Sequence, residues 1–237
     1  MMKKLALTVV LLGVALLILT GCFGKSSRRF IEGEASELSK VYPTENLEDL
    51  FEKFPDGFQI RIIDSEKKDE NSPTIIYQTV LNGISETKEI KGEITKESSL
   101  KNSDGKIEEE ILFKGNVYYK DGSLHLSEGN SSKNKEKGDL KHSRLLMQGF
   151  SISRSSLKGL EVVRKGYSLE TGSASITYKL KNEQVNDYLG LENDAQLNMI
   201  INIPETTVSG KNYSYSIIFR KDKLSHSEGI VGKLEGY

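Results

Sequence analysis

The stretch Thr74-Ile75-Ile76-Tyr77-Gln78-Thr79-Val80-Leu81-Asn82-Gly83-Ile84 decides the fold class. β-Branched and aromatic residues fit the pleated, half-buried surface of a strand. Asn-Gly between two such runs is the strongest short-range hairpin signal, because both turn positions require positive φ. The reading predicts strands over 74–81 and 84–94 folded about Asn82-Gly83. The alternation Ile84, Glu86, Lys88, Ile90 is less clean, which predicts one wet side to this hairpin.

The same period of two recurs in both directions from the hairpin. Upstream, Phe58, Ile60 and Ile62 alternate with Gln59 and Arg61. Downstream, 107–113 and 116–119 continue the pattern, and Asp121-Gly122 turns into Leu124-His125-Leu126. Residues 159–165 carry Leu160, Val162 and Val163, while Ala174, Ile176, Tyr178 and Leu180 alternate with Ser175, Thr177 and Lys179. Leu197, Met199, Ile201 and Ile203 form a further strand. Ser209-Gly210-Lys211 then turns into Tyr213, Tyr215, Ile217 and Phe219, and 225–234 closes the chain. Turns rather than crossover helices join these strands, so the expected architecture is α+β with a predominantly antiparallel sheet.

Helices are few. Leu47, Leu50, Phe51 and Phe54 follow the i, i+3, i+4, i+7 pattern of one buried stripe over 45–54. Thr44 is the expected N-cap, with Glu45, Glu48 and Asp49 in the first turns and Pro55-Asp56-Gly57 at the stop. Weaker helical stretches lie at 34–42 and 140–149, and Asn182 caps a short helix holding Val185, Tyr188 and Leu189. The polar run 130–138 reads as a long mobile loop, since it has no large apolar side chains to offset the entropy of ordering.

The beginning of the chain predicts where it works. Lys3-Lys4 precedes an unbroken apolar run from Leu5 to Leu19, and Leu19-Thr20-Gly21-Cys22 ends it. A basic segment, a short apolar core and small residues are the order of a secretory signal. Leu-x-Gly-Cys resembles the lipobox of bacterial lipoproteins. That resemblance implies cleavage before Cys22, an S-diacylglycerol on its thiol and an acyl group on the amine so exposed. The competing reading is an uncleaved membrane helix. The expected division is a signal peptide over 1–21, a lipid-anchored tether over 22–33 and one extracytoplasmic domain over 34–237. Lys25, Arg28 and Arg29 in the tether either touch an anionic bilayer, at about 1 kcal/mol each, or keep a solvated linker extended.

The 237 residues carry a formal net charge of −1, and losing Lys3 and Lys4 makes the remainder more acidic. This argues against a nucleic-acid partner, whose phosphates must be neutralised by basic groups. A single cysteine excludes an internal disulfide and a thiolate metal cluster.

Motifs of catalysis are missing: no Gly-x-Ser-x-Gly, His-Glu-x-x-His, P-loop or Gly-x-Gly-x-x-Gly occurs. His125, His142 and His226 are far apart in sequence without acids at ligand spacing, and read as surface or loop histidines. Asn102-Ser103-Asp104-Gly105 has two calcium-type oxygens and reads as a turn, and Glu108-Glu109-Glu110 as a solvated strand edge. Tyr213 and Tyr215 share a strand face and are expected in the core opposite Tyr178. The expected protein has no catalytic residue, no metal ligand and no cofactor, and Cys22 as its one named site.

Two stretches resemble a known family. Val41-Tyr42-Pro43-Thr44-Glu45-Asn46-Leu47-Glu48-Asp49-Leu50-Phe51, shortly after the lipid cysteine, is similar to the Tyr-Pro-x-x-Asn-Leu-Glu-Asp-Leu segment of the tandem lipoproteins of staphylococci and related Gram-positive bacteria. The order of 175–182, 197–203 and 213–219 is similar too, whereas 64–140 matches loosely. The resemblance implies a surface lipoprotein on the outer face of the cytoplasmic membrane. Its partners would be the membrane, through Cys22, and a host or cell-envelope protein. The function expected is therefore non-enzymatic binding. The alternative is a lipid or small-ligand carrier, which needs an apolar cavity of several hundred Å3.

Overall fold

The structure is a computed structural model of the chain that describes residues 24–101, 104–127, 140–204 and 213–234. Cys22, the signal peptide, the loop at 130–138, the turn at Gly210 and residues 102–103 lie outside the described residues.

Ten strands form one antiparallel sheet: β1 (Phe58–Lys67), β2 (Thr74–Ile84), β3 (Glu89–Lys101), β4 (Ile107–Lys120), β5 (Ser123–Leu126), β6 (Glu161–Tyr167), β7 (Ala174–Leu180), β8 (Leu197–Ile203), β9 (Tyr213–Lys221) and β10 (Leu224–Gly232). Their order is β5-β4-β3-β2-β1-β10-β9-β8-β7-β6. Each half is a five-strand meander, and the halves meet where the first strand pairs with the last, Ile60 opposite Ile230 and Asp64 opposite His226. The α+β expectation holds. Residues 107–113 and 116–119 belong to one strand, β4, rather than two.

The Asn82-Gly83 turn is corrected. Both residues lie inside β2, with Asn82 opposite Lys91 and Gly83 opposite Ile90. The chain reverses at 85–88, where Lys88 takes φ 56° and its N–H donates to the Ile84 carbonyl at 2.8 Å. Gly83 serves packing instead: a Cβ there would stand 2.4 Å from the Phe58 ring.

One face of the sheet is covered. Helix α1 (Arg28–Ala35) follows an N-cap in which Ser27 Oγ accepts from Phe30 N–H, and it continues as a 3-10 turn over Ser36–Lys40. Folded structure thus begins inside the segment expected to be tether, because Ile31, Ala35 and Leu38 are fully buried. Arg28 fastens this helix by donating to the carbonyls of Lys158 and Leu160. The helix expected over 45–54 is shorter and split: a 3-10 turn, Leu47–Asp49, precedes α2 (Leu50–Lys53). Asn46, not Thr44, caps it, because Thr44 is buried with its hydroxyl donating to Val41 and its N–H to Met147. The stripe itself is as expected: Leu47, Leu50 and Phe54 are at 0% exposure, and the Phe51 ring packs against that of Phe58, tilted by 53° with centres 5.1 Å apart.

Residues 140–153 are irregular chain with bends and one 3-10 turn, Leu146–Gln148, rather than a helix. A short helix, α3 (Arg154–Lys158), leads into β6, and α4 (Glu183–Leu189) follows Asn182, whose Oδ1 accepts from Val185 N–H. Among the described residues, no helix is long and apolar enough to cross a membrane.

Candidate functional site

The alternation that buries Ile60 and Ile62 on β1 continues to Asp64, and the one that buries Ile230 on β10 continues to Glu228 and His226. Three ionisable side chains therefore stand at core-facing positions of the two central strands. Such positions must find partners, since an unpaired buried polar group is costly.

The partners come from the segment 140–150. His226 Nδ1 lies 2.8 Å from Asp64 Oδ1, and His142 Nε2 lies 3.3 Å from the same oxygen. His142 stacks on Tyr188 of α4, ring centres 4.1 Å apart, and Tyr188 in turn meets His226 edge-on. The expectation of scattered surface histidines is corrected for two of the three. His226 is fully buried and the side chain of His142 is 14% exposed. Only His125 fits: it is exposed, stacked on Tyr118, with Nε2 near the Lys120 carbonyl.

Glu228 binds the same segment from the next inward position of β10. It accepts from Tyr42 Oη at 2.9 Å, Leu146 N–H at 2.9 Å and Met147 N–H at 2.8 Å. Burial raises its pKa, opposed by the nearby His226 and these three donors. Burial would raise Asp64 as well, but the hydrogen bonds from His142 and His226 prevail and hold it below the ordinary carboxylate range. Burial raises the phenols of Tyr42 and Tyr188, with Glu228 next in both cases, so they stay protonated.

The arrangement can bind a cation or fix the chain. Both imidazoles converge on one carboxylate, and among the described residues neither is hydrogen-bonded to a serine. Asp64, His142 and His226 are the residues able to hold a metal, their ligand atoms lying within 4.8 Å of one another. The remaining residues singled out from sequence stay apart from this cluster. Glu108, Glu109 and Glu110 are exposed on β4, whose 107–116 portion extends past the pairing with β5. Tyr213 and Tyr215 are buried with rings 4.6 Å apart, but Tyr178 aligns with Met199 and Phe219 rather than with them.

The uncovered face carries a second feature. A groove of about 590 Å3 crosses β8, β9, β10 and β1, with Gln59, Arg61, Asn202, Ser214, Ser216 and Ser227 supplying its polar lining. Near the start of α1, a cleft shared with α3 holds Arg28, Arg29, Arg154 and Lys158 against one acid, Glu32, which is already bonded to Arg28.

No family model and no curated protein sequence matches the chain. Among solved structures it is similar to LprF from Mycobacterium bovis, at TM-score 0.38 and 7% identity over 86% of this chain and 94% of that one. A likeness that distant transfers neither a residue nor a role.

Proposed function

We propose that the chain is a lipid-anchored surface protein on the outer face of the cytoplasmic membrane, attached through acylated Cys22, that works by binding rather than turnover. The observation that carries this reading is the two-sidedness of the sheet. One face is covered by α1, the short helical turns and residues 140–150, whereas the other presents a solvent-open groove in which Arg61 stands among neutral amides and hydroxyls. Such a surface suits a partner protein offering carboxylate and hydroxyl groups, since a guanidinium pairs bidentately with a carboxylate.

Two further observations support it. Among the described residues no serine is bonded to the histidine cluster, and His226 is closed to solvent. The basic cleft is near the anchor along the chain: five residues lie between Cys22 and Arg28, a reach of at most about 20 Å over six steps. Four cations placed there suit anionic headgroups. These features accord with the tandem lipoprotein resemblance.

The test has two arms. In cells fed labelled fatty acid, Cys22→Ala should abolish labelling, and equal labelling of both chains would end the anchoring reading. In capture from host and envelope proteins, Arg61→Glu and Ser216→Arg should both lose a partner that the parent retains, and retention by both would refute the groove. The carrier reading is favoured by the apolar share of the same lining, Ile63, Ile203, Pro204 and Val231. Lipid co-purifying with the parent but not with Val231→Arg would decide for it.

A further inference from the structure

We propose that Asp64, His142 and His226 form a binding site for a divalent transition-metal ion of the zinc class. Imidazole and carboxylate are the ligands such ions take, with Zn–N and Zn–O bonds of roughly 2.0–2.2 Å, so adjacent ligand atoms around a tetrahedral ion lie roughly 3.3–3.6 Å apart. From Asp64 Oδ1 the separation to His142 Nε2, 3.3 Å, stands at the lower bound of that range, and the one to His226 Nδ1, 2.8 Å, is a hydrogen-bond contact that an ion entering between the two atoms must spread. The third separation is within 4.8 Å, so a small rotation of His142 closes the set.

A second observation points the same way. His226 Nε2 is buried and makes no hydrogen bond, and neither does the nearby Tyr188 hydroxyl. An ion on Nδ1 takes that nitrogen's lone pair and leaves the ring proton at Nε2, so the unpaired nitrogen becomes a donor, and the Tyr188 hydroxyl, on a ring centred 5.2 Å from that of His226, is a buried acceptor beside it. A metal-bound imidazole takes an outer partner for its second nitrogen in this way. Charge favours the ion. Asp64 is enclosed, and a dication beside it offsets a carboxylate held away from water.

The scaffold suits a ligand set. Asp64 and His226 are cross-strand partners on the two central strands, so their backbones are fixed by pairing on both sides. His142 is held by its stack on Tyr188, and its neighbour Lys141 is paired with Glu66. As the most exposed of the three, His142 is also the side from which an ion enters. Three protein ligands leave a fourth position for water, as in open zinc sites.

The experiment uses the full-length chain purified in detergent, with Cys22→Ala in every sample so that no thiol competes. After EDTA and dialysis, the parent should take up one equivalent of Zn2+. Co2+ should give the visible absorption of a four-coordinate ion. His142→Ala should weaken Zn2+ uptake by at least ~100-fold, beyond the 10–100-fold usual for losing an outer partner of a ligand. In EDTA it should still melt cooperatively, at a temperature lowered only by the lost partner of Asp64 and the lost stack on Tyr188, and Zn2+ should raise the melt of the parent but not of the variant, which separates lost ligation from lost folding. His125→Ala should bind like the parent. No stoichiometric uptake by the parent would overturn the proposal, as would uptake that survives His142→Ala or falls equally with His125→Ala. In either case the cluster only ties residues 140–150 to the sheet.

Discussion

Replacing Glu228 with Ala tests whether that side chain is what holds residues 145–148 against the central strands. Three donors lose their acceptor at once: Tyr42 Oη, Leu146 N–H and Met147 N–H, all on residues no more than 2% exposed. Hydrogen bonds to a charged acceptor contribute ~1.5–3 kcal/mol each, so the gross loss is about 4–9 kcal/mol. Removing the carboxylate also removes the penalty of keeping it buried, several kcal/mol after relaxation. Chain movement that readmits water recovers part of the remainder. The net expectation is a destabilisation of about 3–5 kcal/mol, because three buried donors left without an acceptor cost ~1–3 kcal/mol each before the chain relaxes. For a domain of this size that lowers the melting temperature by roughly 6–20 °C. Urea denaturation with amide exchange is the assay, and protection should fall first at Leu146 and Met147, then at the Thr44 amide that donates to the Met147 carbonyl. A variant within about 0.5 kcal/mol of the parent, or one unfolding uniformly without early exposure of 145–148, would refute the assignment.

Phe51→Ala should cost about 3–5 kcal/mol in urea denaturation, because Phe51 is 7% exposed and packs on Phe58. Gly92→Ala should destabilise by at least ~2 kcal/mol, since its Cβ would fall 1.7 Å from the Val80 carbonyl oxygen and rigid backbone must move; a calorimetric melt near that of the parent would contradict this. Arg154→Glu with Lys158→Glu should weaken binding of the Cys22→Ala chain to phosphatidylglycerol vesicles at least tenfold at low salt, with little change on phosphatidylcholine. Cosedimentation that is equal for parent and variant would separate the basic cleft from the membrane.

Much of the sheet was legible because its hydrophobic period is clean where one face is buried. Residues 174–180 and 197–203 were read to within a residue, and their burial alternates as their side chains do. Local signals failed where tertiary packing took over their residues. Asn82-Gly83 has the composition of a turn, yet Gly83 is needed small beneath Phe58, so the reversal moved to 85–88. Thr44 has the chemistry of a cap, yet its hydroxyl and amide were committed to Val41 and Met147. The histidine cluster left no local mark, because Asp64, His142 and His226 come from three distant segments. One signal was nevertheless present: Asp64 and His226 fall in phase with Ile60, Ile62 and Ile230, and a charge in the phase of a core stripe asks for a partner.

That signal acquires a reason from the topology. Within each meander, a turn or short connection sets how neighbouring strands align. The β1–β10 seam is different, since its paired residues are about 160 positions apart and no local turn sets their register. A slip of one residue there would send every side chain of one strand to the opposite face, and a slip of two would keep the faces and misplace the pairs. Apolar residues discriminate poorly against the two-residue slip, because Ile60 packs nearly as well against one aliphatic neighbour as another. Asp64 discriminates strongly: only opposite His226, within reach of His142, does its carboxylate find both donors. Glu228 adds the same demand two residues along, through Tyr42 and the 145–148 turn. The buried polar cluster therefore sits where the fold most needs a specific long-range contact, and the place that fixes the register is also the place that gathers metal-type ligands.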